Sequence, residues 1–265
     1  MATYVFSDVH GHAAPLRRLI ERIAPADDDR FFCLGDMVDR GPDPMDVIAA
    51  VRALPHVCVL SGNHEDLMLS WLGDPGDGGL LADWTINGGG TTLAGFSDLD
   101  PEARDELVAW LESLPVYAVC TVGERIYVLV HAGILPYTGP ARTWDEAALE
   151  ELLAASNPQD LMWVRHAFWE HPTGLIDASG AGPVVIAGHT PTVYLGHMRA
   201  SIDRPPLDDD GICQIVRVGN PDACGGVYDK WNIDSGAAGG AGFGCITIVR
   251  LDDEAAFSEP IRPGE

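Results

Sequence analysis

The sequence predicts an α/β fold built on a largely parallel sheet, and three observations carry that expectation. Five short runs are almost continuously apolar, as strands buried on both faces require: ATYVF (2–6), RFFCL (30–34), VCVL (57–60), IYVLV (126–130) and VVIA (184–187). Segments with apolar residues at helical spacing separate the early runs, the βαβ alternation that sets strands side by side in parallel. Each run also stops abruptly at a short turn containing Gly, the punctuation expected where a strand gives way to a loop.

From the N-terminus, the first run is followed by LRRLIERIA (16–24) and the second by MDVIAAVRAL (45–54), both with apolar residues three or four apart. In DPEARDELVAWLESL (100–114), Asp100 is placed to cap a helix whose first position is Pro101. The residues TWDE (143–146) form a capping-box pattern opening EAALEELLAAS. CQIVRVG (213–219) and GCITIVRL (244–251) read as later strands in meander or antiparallel pairing. GDPGDGG (73–79) and SGAAGGAGFG (235–244) read as loops, and 199–231 as an irregular excursion whose Tyr228 and Trp231 pack. No repeat or linker divides the 265 residues, so one domain, 1–265, is expected.

Sixteen Lys and Arg against forty Asp and Glu give a net charge of −24, which argues against nucleic acid or an anionic membrane as a partner. A phosphorylated ligand would be repelled too, unless bound cations or clustered arginines reverse the field locally. Six cysteines are scattered without a C-x-x-C pair and mostly sit in apolar runs, where they read as small buried hydrophobes rather than bridges. The chain enters a strand at once with no leader pattern, and no apolar run is long enough for a membrane span, so a cytoplasmic protein is expected.

The chemistry gathers where the strands end. ATYVF is followed by SDVHGH, FFCL by GDMVDRGP, VCVL by SGNHED, IYVLV by HAGILP and VVIA by GHTP. In open α/β sheets ligands bind outside the carboxyl ends of the strands. Convergence there would assemble Asp8, His10, Asp36, Asn63, His64, His131 and His189. Singly, each is an ordinary turn or cap residue; five such turns on one sheet edge are not an ordinary coincidence. Carboxylate, imidazole and amide oxygen without thiolate suit two divalent metal ions, manganese first, with iron or zinc as alternatives. Asp8 and His10 can hold one ion, Asn63, His131 and His189 a second, with Asp36 bridging them. Such a pair can clamp a phosphate undergoing in-line displacement.

D-x-H-G (8–11), G-D-x-x-D-R-G (35–41), G-N-H-E (62–65), H-A-G (131–133) and G-H-T (188–190) resemble, in order and early spacing, the calcineurin-like metallophosphoesterases, in particular their phosphoprotein phosphatase branch. The resemblance implies an αββα sandwich with mixed sheets, a dinuclear metal site, and direct attack by a metal-bound hydroxide. It implies the same ligand set, with His64 as the acid that protonates the leaving oxygen, Asp39 holding that imidazole, and Arg40 binding phosphate. The run LMWVR resembles the segment that supplies a second phosphate-binding arginine, here Arg165.

Pro191 stands where nuclease-like branches of the superfamily carry a further histidine, which favours the phosphatase branch. Symmetrical dinucleoside tetraphosphate hydrolases are the close rival, but they typically lack the aspartate of D-R-G and read G-N-H-D. Asp39 and Glu65 therefore lead to the expectation of a phosphomonoesterase acting on phosphoserine or phosphothreonine in protein, or on a small phosphoester. An inert phosphate-binding scaffold would be marked by missing ligands, and none is missing.

Overall fold

The computed structural model describes residues 1–198 and 200–265. Arg199, the first residue of the excursion expected at 199–231, lies outside the described residues. The elements run β1 (Thr3–Phe6), α1 (Ala13–Ile23), β2 (Arg30–Cys33), α2 (Pro44–Arg52), β3 (Val57–Val59), α3 (Asn63–Gly73), α4 (Gly78–Ile86), α5 (Gly90–Asp98) and α6 (Pro101–Glu112). They continue β4 (Tyr117–Val122), β5 (Arg125–Val130), α7 (Glu146–Ala154), α8 (Pro158–Trp163), α9 (His166–Trp169), β6 (Val184–Ala187), β7 (Val216–Val218), β8 (Lys230–Asn232), β9 (Cys245–Arg250) and β10 (Ala255–Pro260).

The strands form two sheets rather than one largely parallel sheet, in the orders β10-β9-β1-β2-β3 and β4-β5-β6-β8-β7. In each, three parallel strands are flanked by antiparallel pairings: β9 against β1 and β10 against β9 in the first, β4 against β5 and β7 against β8 in the second. Strand alternation explains the layering, because successive side chains point to opposite faces. On β1, Tyr4 and Phe6 meet Leu16 and Leu19 of α1, while Val5 turns the other way and joins Phe32, Tyr127, Leu129 and Ile186 between the sheets. On β5, Val128 and Val130 face Leu149, Leu153 and Phe168 on the outer helices. The result is a helix–sheet–sheet–helix sandwich with mixed sheets, as the resemblance implied.

Local signals hold in part. Asp100 caps α6 by accepting from Ala103 N at 2.8 Å, with Pro101 first in the helix. The cap of α7 is Asp145, accepting from Ala148 N at 2.8 Å, and not the capping box at Thr143; the helix begins two residues later, just past the buried Trp144. The strand expected at 213–219 is regular only over Val216–Val218, and the Gly-rich 73–79 loop already contains the start of α4. Trp231 is buried on β8 and packs edge-on against Tyr127 at 5.7 Å. All six cysteines are free thiols. Among the described residues no helix is long and apolar enough to cross a membrane.

Candidate metal centre

The ends of β1, β2, β3, β5 and β6 carry the loops singled out in the sequence, and the structure brings them together. Their backbones pack directly on one another. Gly41 N donates to His10 O at 2.9 Å, and a Cβ on Gly41 would lie 2.3 Å from that same oxygen. Gly35 has φ +94°, and its missing Cβ would sit 2.4 Å from Gly62 N. Side chains at these two positions would drive the loops apart. Six site residues that are not glycine also adopt positive φ: Asp8 (51°), His10 (46°), Asp36 (54°), Asp39 (71°), Arg40 (70°) and His189 (65°). Such backbone strain concentrates where a site over-determines geometry.

Two groups have ligand atoms all within 4.8 Å of one another: His10, Asp36 and His64, and Asp36, His131 and His189. Asp36 belongs to both. His10 Nε2 lies 3.5 Å from Asp36 Oδ2, and His131 Nε2 lies 3.4 Å from Asp36 Oδ1. Asn63 Oδ1 stands 2.9 Å from His131 Nε2 and 2.7 Å from His189 Nδ1. Asp8 is buried, and its carboxylate accepts from His189 N at 3.0 Å, while the missing Cβ of Gly188 would fall 2.0 Å from Asp8 Oδ2.

These atoms fit a cation better than they fit each other. A carbonyl can only accept, so His131 Nδ1 donates to Leu34 O at 2.8 Å and His10 Nδ1 donates to Val38 O at 3.1 Å. The neutral rings then turn the lone pairs of Nε2 into the centre, toward the Asn63 amide oxygen and the Asp36 carboxylate. A histidine anchored through one nitrogen to a carbonyl is the usual posture of a metal ligand. Burial pushes His131 down to about 4 and His10 and His189 well below the ordinary imidazole value. Burial, and then the charge of Asp8, push Asp36 well up. Neutral imidazoles beside crowded carboxylates form a donor set that two divalent cations would stabilise.

Beside this cluster, His64 Nδ1 donates to Asp39 Oδ2 at 2.7 Å, and Arg40 Nη2 donates to His64 Nε2 at 2.9 Å. The pairing of Asp39 with His64 agrees with the expectation. The guanidinium of Arg40 rests on the imidazole and is anchored at Nε to Asn87 O. Arg165 reaches the other flank, where Nη1 donates to His189 O at 3.2 Å and Thr190 Oγ1 at 3.3 Å.

Sequence reasoning missed two contributors. Glu65, read only as a family marker, accepts from Gly62 N at 2.9 Å, Asp36 N at 2.8 Å and Met37 N at 2.8 Å. It therefore staples the β2 loop to α3. Asp234 is buried beyond β8, and burial followed by the charge of Asp8 raises its pKa. Its signal was available: β8 runs parallel to β6, so D-S-G after KWNI is one more strand end on the same edge.

Comparisons with known proteins agree with this construction. The profile of the calcineurin-like phosphoesterases matches residues 1–226. A symmetrical bis(5'-nucleosyl)-tetraphosphatase of Dechloromonas aromatica is 32% identical over 185 residues, covering 67% of this chain and 59% of that protein. One of Methylococcus capsulatus is 34% identical over 165 residues, covering 59% and 52%. The chain thus spans about half the length of the curated relatives it matches. Among solved structures, a protein serine/threonine phosphatase of Saccharomyces cerevisiae superposes with a TM-score of 0.53 at 14% identity, covering 100% of this chain and 81% of that one. A candidate diadenosine tetraphosphatase superposes with a TM-score of 0.54 at 16% identity, covering 99% and 94%. Both share the fold. With the profile matching most of the sequence, the chain belongs to the calcineurin-like phosphoesterase family.

Proposed function

We propose that this centre hydrolyses phosphoric anhydrides and esters with two divalent cations bound, and that symmetrical dinucleoside tetraphosphates are its leading substrate class. The observation that carries the chemistry is the convergence of unprotonated His10 Nε2 and His131 Nε2 on the Asp36 carboxylate, with Asn63 Oδ1 against His131 Nε2 and the His64–Asp39 pair beside them. In this reading Asp8, His10 and Asp36 hold one cation, and Asp36, Asn63, His131 and His189 hold the other. Manganese is the first candidate, with iron or zinc as alternatives. Such a pair, when bound, offsets charge on the phosphoryl oxygens and lowers the pKa of water.

The chain's own groups do the rest. Arg40 and Arg165 flank the cluster and present planar forks of donors suited to a tetrahedral dianion. Arg40 now donates to His64 Nε2, so that nitrogen accepts and the ring proton lies on Nδ1, facing Asp39. When Arg40 turns to a phosphoryl oxygen, His64 Nε2 is freed to take a proton from solvent, and the resulting imidazolium, held by Asp39, can pass it to a leaving oxygen basic enough to need one. The curated relatives, named symmetrical tetraphosphatases, support the dinucleotide. Symmetrical cleavage would release two nucleoside diphosphates.

One observation favours a second reading, the phosphoserine or phosphothreonine esterase expected from the sequence. A nucleoside diphosphate is a weakly basic leaving group that departs without a proton, whereas an alkoxide needs one. The short His64–Asp39 hydrogen bond is the equipment that an alkyl ester demands. Rates with added manganese on diadenosine tetraphosphate, a phosphoserine peptide and a phosphotyrosine peptide separate the two. Turnover of the dinucleotide to ADP alone is the expected result. Hydrolysis of the phosphoserine peptide with an untouched dinucleotide would transfer the assignment to the esterase.

A further inference from the structure

We infer that Trp84 of α4 and Thr92 of α5 are positioning residues for the proton delivered by His64, and that they set how basic a leaving group the enzyme can expel. The inference rests on the proposed acid role of His64. Asp39, which holds that imidazole, is fully buried at φ 71°, and within its own loop only its carbonyl is engaged, accepting from Gly41 N at 2.9 Å. Two side chains from a distant segment hold its backbone N–H and its carboxylate.

Thr92 Oγ1 accepts from Asp39 N at 2.8 Å, and its single proton goes back to Asp39 Oδ1 at 2.6 Å. The hydroxyl thus clamps backbone and carboxylate of one residue together. Trp84 Nε1 straddles the carboxylate, 3.1 Å from Oδ1 and 3.0 Å from Oδ2. With both held, the remaining lone-pair direction of Oδ2 meets His64 Nδ1 at 2.7 Å. A Cβ on Gly89 would lie 2.5 Å from the indole nitrogen, so the ring lies flush against the loop joining the two helices. In the same loop, Gly88 O accepts from Arg40 N at 3.0 Å and Asn87 O accepts from Arg40 Nε at 3.3 Å. One segment, α4 to α5 with its loop, therefore orients the imidazole and anchors the arginine beside it. Simple core filling would account for the burial of Trp84 and Thr92, but not for both donors converging on one carboxylate.

A merely structural role would slow every substrate alike, whereas misplacing a general acid slows only those whose leaving group needs a proton. The readout is the ratio of kcat on an alkyl phosphate to kcat on p-nitrophenyl phosphate, with manganese present. Thr92→Val is nearly isosteric and carries the test; Trp84→Phe, which empties part of a fully buried site, is read beside it. We expect Thr92→Val to lower the ratio about tenfold or more, and Thr92→Ser, which keeps the hydroxyl, to restore it. His64→Asn is the reference, with a fall of about 10²-fold. If His64→Asn lowers the ratio and Thr92→Val leaves it at the wild-type value, the positioning role is overturned while the acid assignment stands. If His64→Asn leaves it unchanged, the acid assignment itself fails. A wild-type enzyme that turns over p-nitrophenyl phosphate but no alkyl phosphate also overturns the inference, since no proton would then be delivered.

Discussion

His131 carries the centre's electrostatics in one side chain. Its Nδ1 is committed to Leu34 O, its Nε2 faces acceptors, and burial pushes its pKa from 6.5 down to about 4. Between those values the unfolded chain binds the proton and the folded one does not. In the metal-free protein, its contribution to stability therefore falls as pH drops from about 6.5 to about 4. His131→Asn removes that proton uptake. Its stability deficit against wild type should shrink by about 2 kcal/mol between roughly pH 6.5 and pH 5, read from urea unfolding after chelator treatment. A deficit that does not move would mean the ring is not held neutral. Residues such as His131 were legible because each follows an apolar run. Thr92 was not, because its partner Asp39 is 53 residues away and nothing local marks it.

At the scale of elements, strand ends were readable and the helices that support them were less so. β1, β2, β5 and β6 are buried runs with sharp stops. β4 is an apolar run too, but it ends in the tight turn to β5 instead of a site loop, and α4 begins inside the Gly-rich 73–79 stretch that reads as a loop. Long-range hydrogen bonds, invisible to periodicity, decide how these pieces hold the site. Glu65 shows this most directly, since from the first turn of α3 it accepts from the backbone of the β2 loop. Aspartate is one methylene shorter and cannot span the same donors. Glu65→Asp should cost about 2 kcal/mol or more, because buried N–H groups lose their acceptor. A urea midpoint within error of wild type would remove Glu65 from the support of the loop.

Across the whole molecule, a chain of net charge −24 buries Asp8, Asp36, Glu65 and Asp234 around one point. Crowding like charges there opposes folding, and divalent cations would relieve it. A cation present at about 100 times its Kd should add about 2.7 kcal/mol. For a chain of this size that is a Tm rise of about 5–10 °C. Manganese chloride compared with sodium chloride at equal ionic strength isolates the effect, because the surface charge also responds to screening. Equal shifts in the two salts would show that no specific site is being filled.

The left-handed backbone at Asp8, His10, Asp36, Asp39, Arg40 and His189 has an evolutionary corollary. Glycine would sit at these positions with less steric cost, so selection on stability alone would erode the very side chains that the chemistry uses. Six strained side chains in one loop cluster thus trade stability for placement, and the φ angles alone mark that cluster as a site.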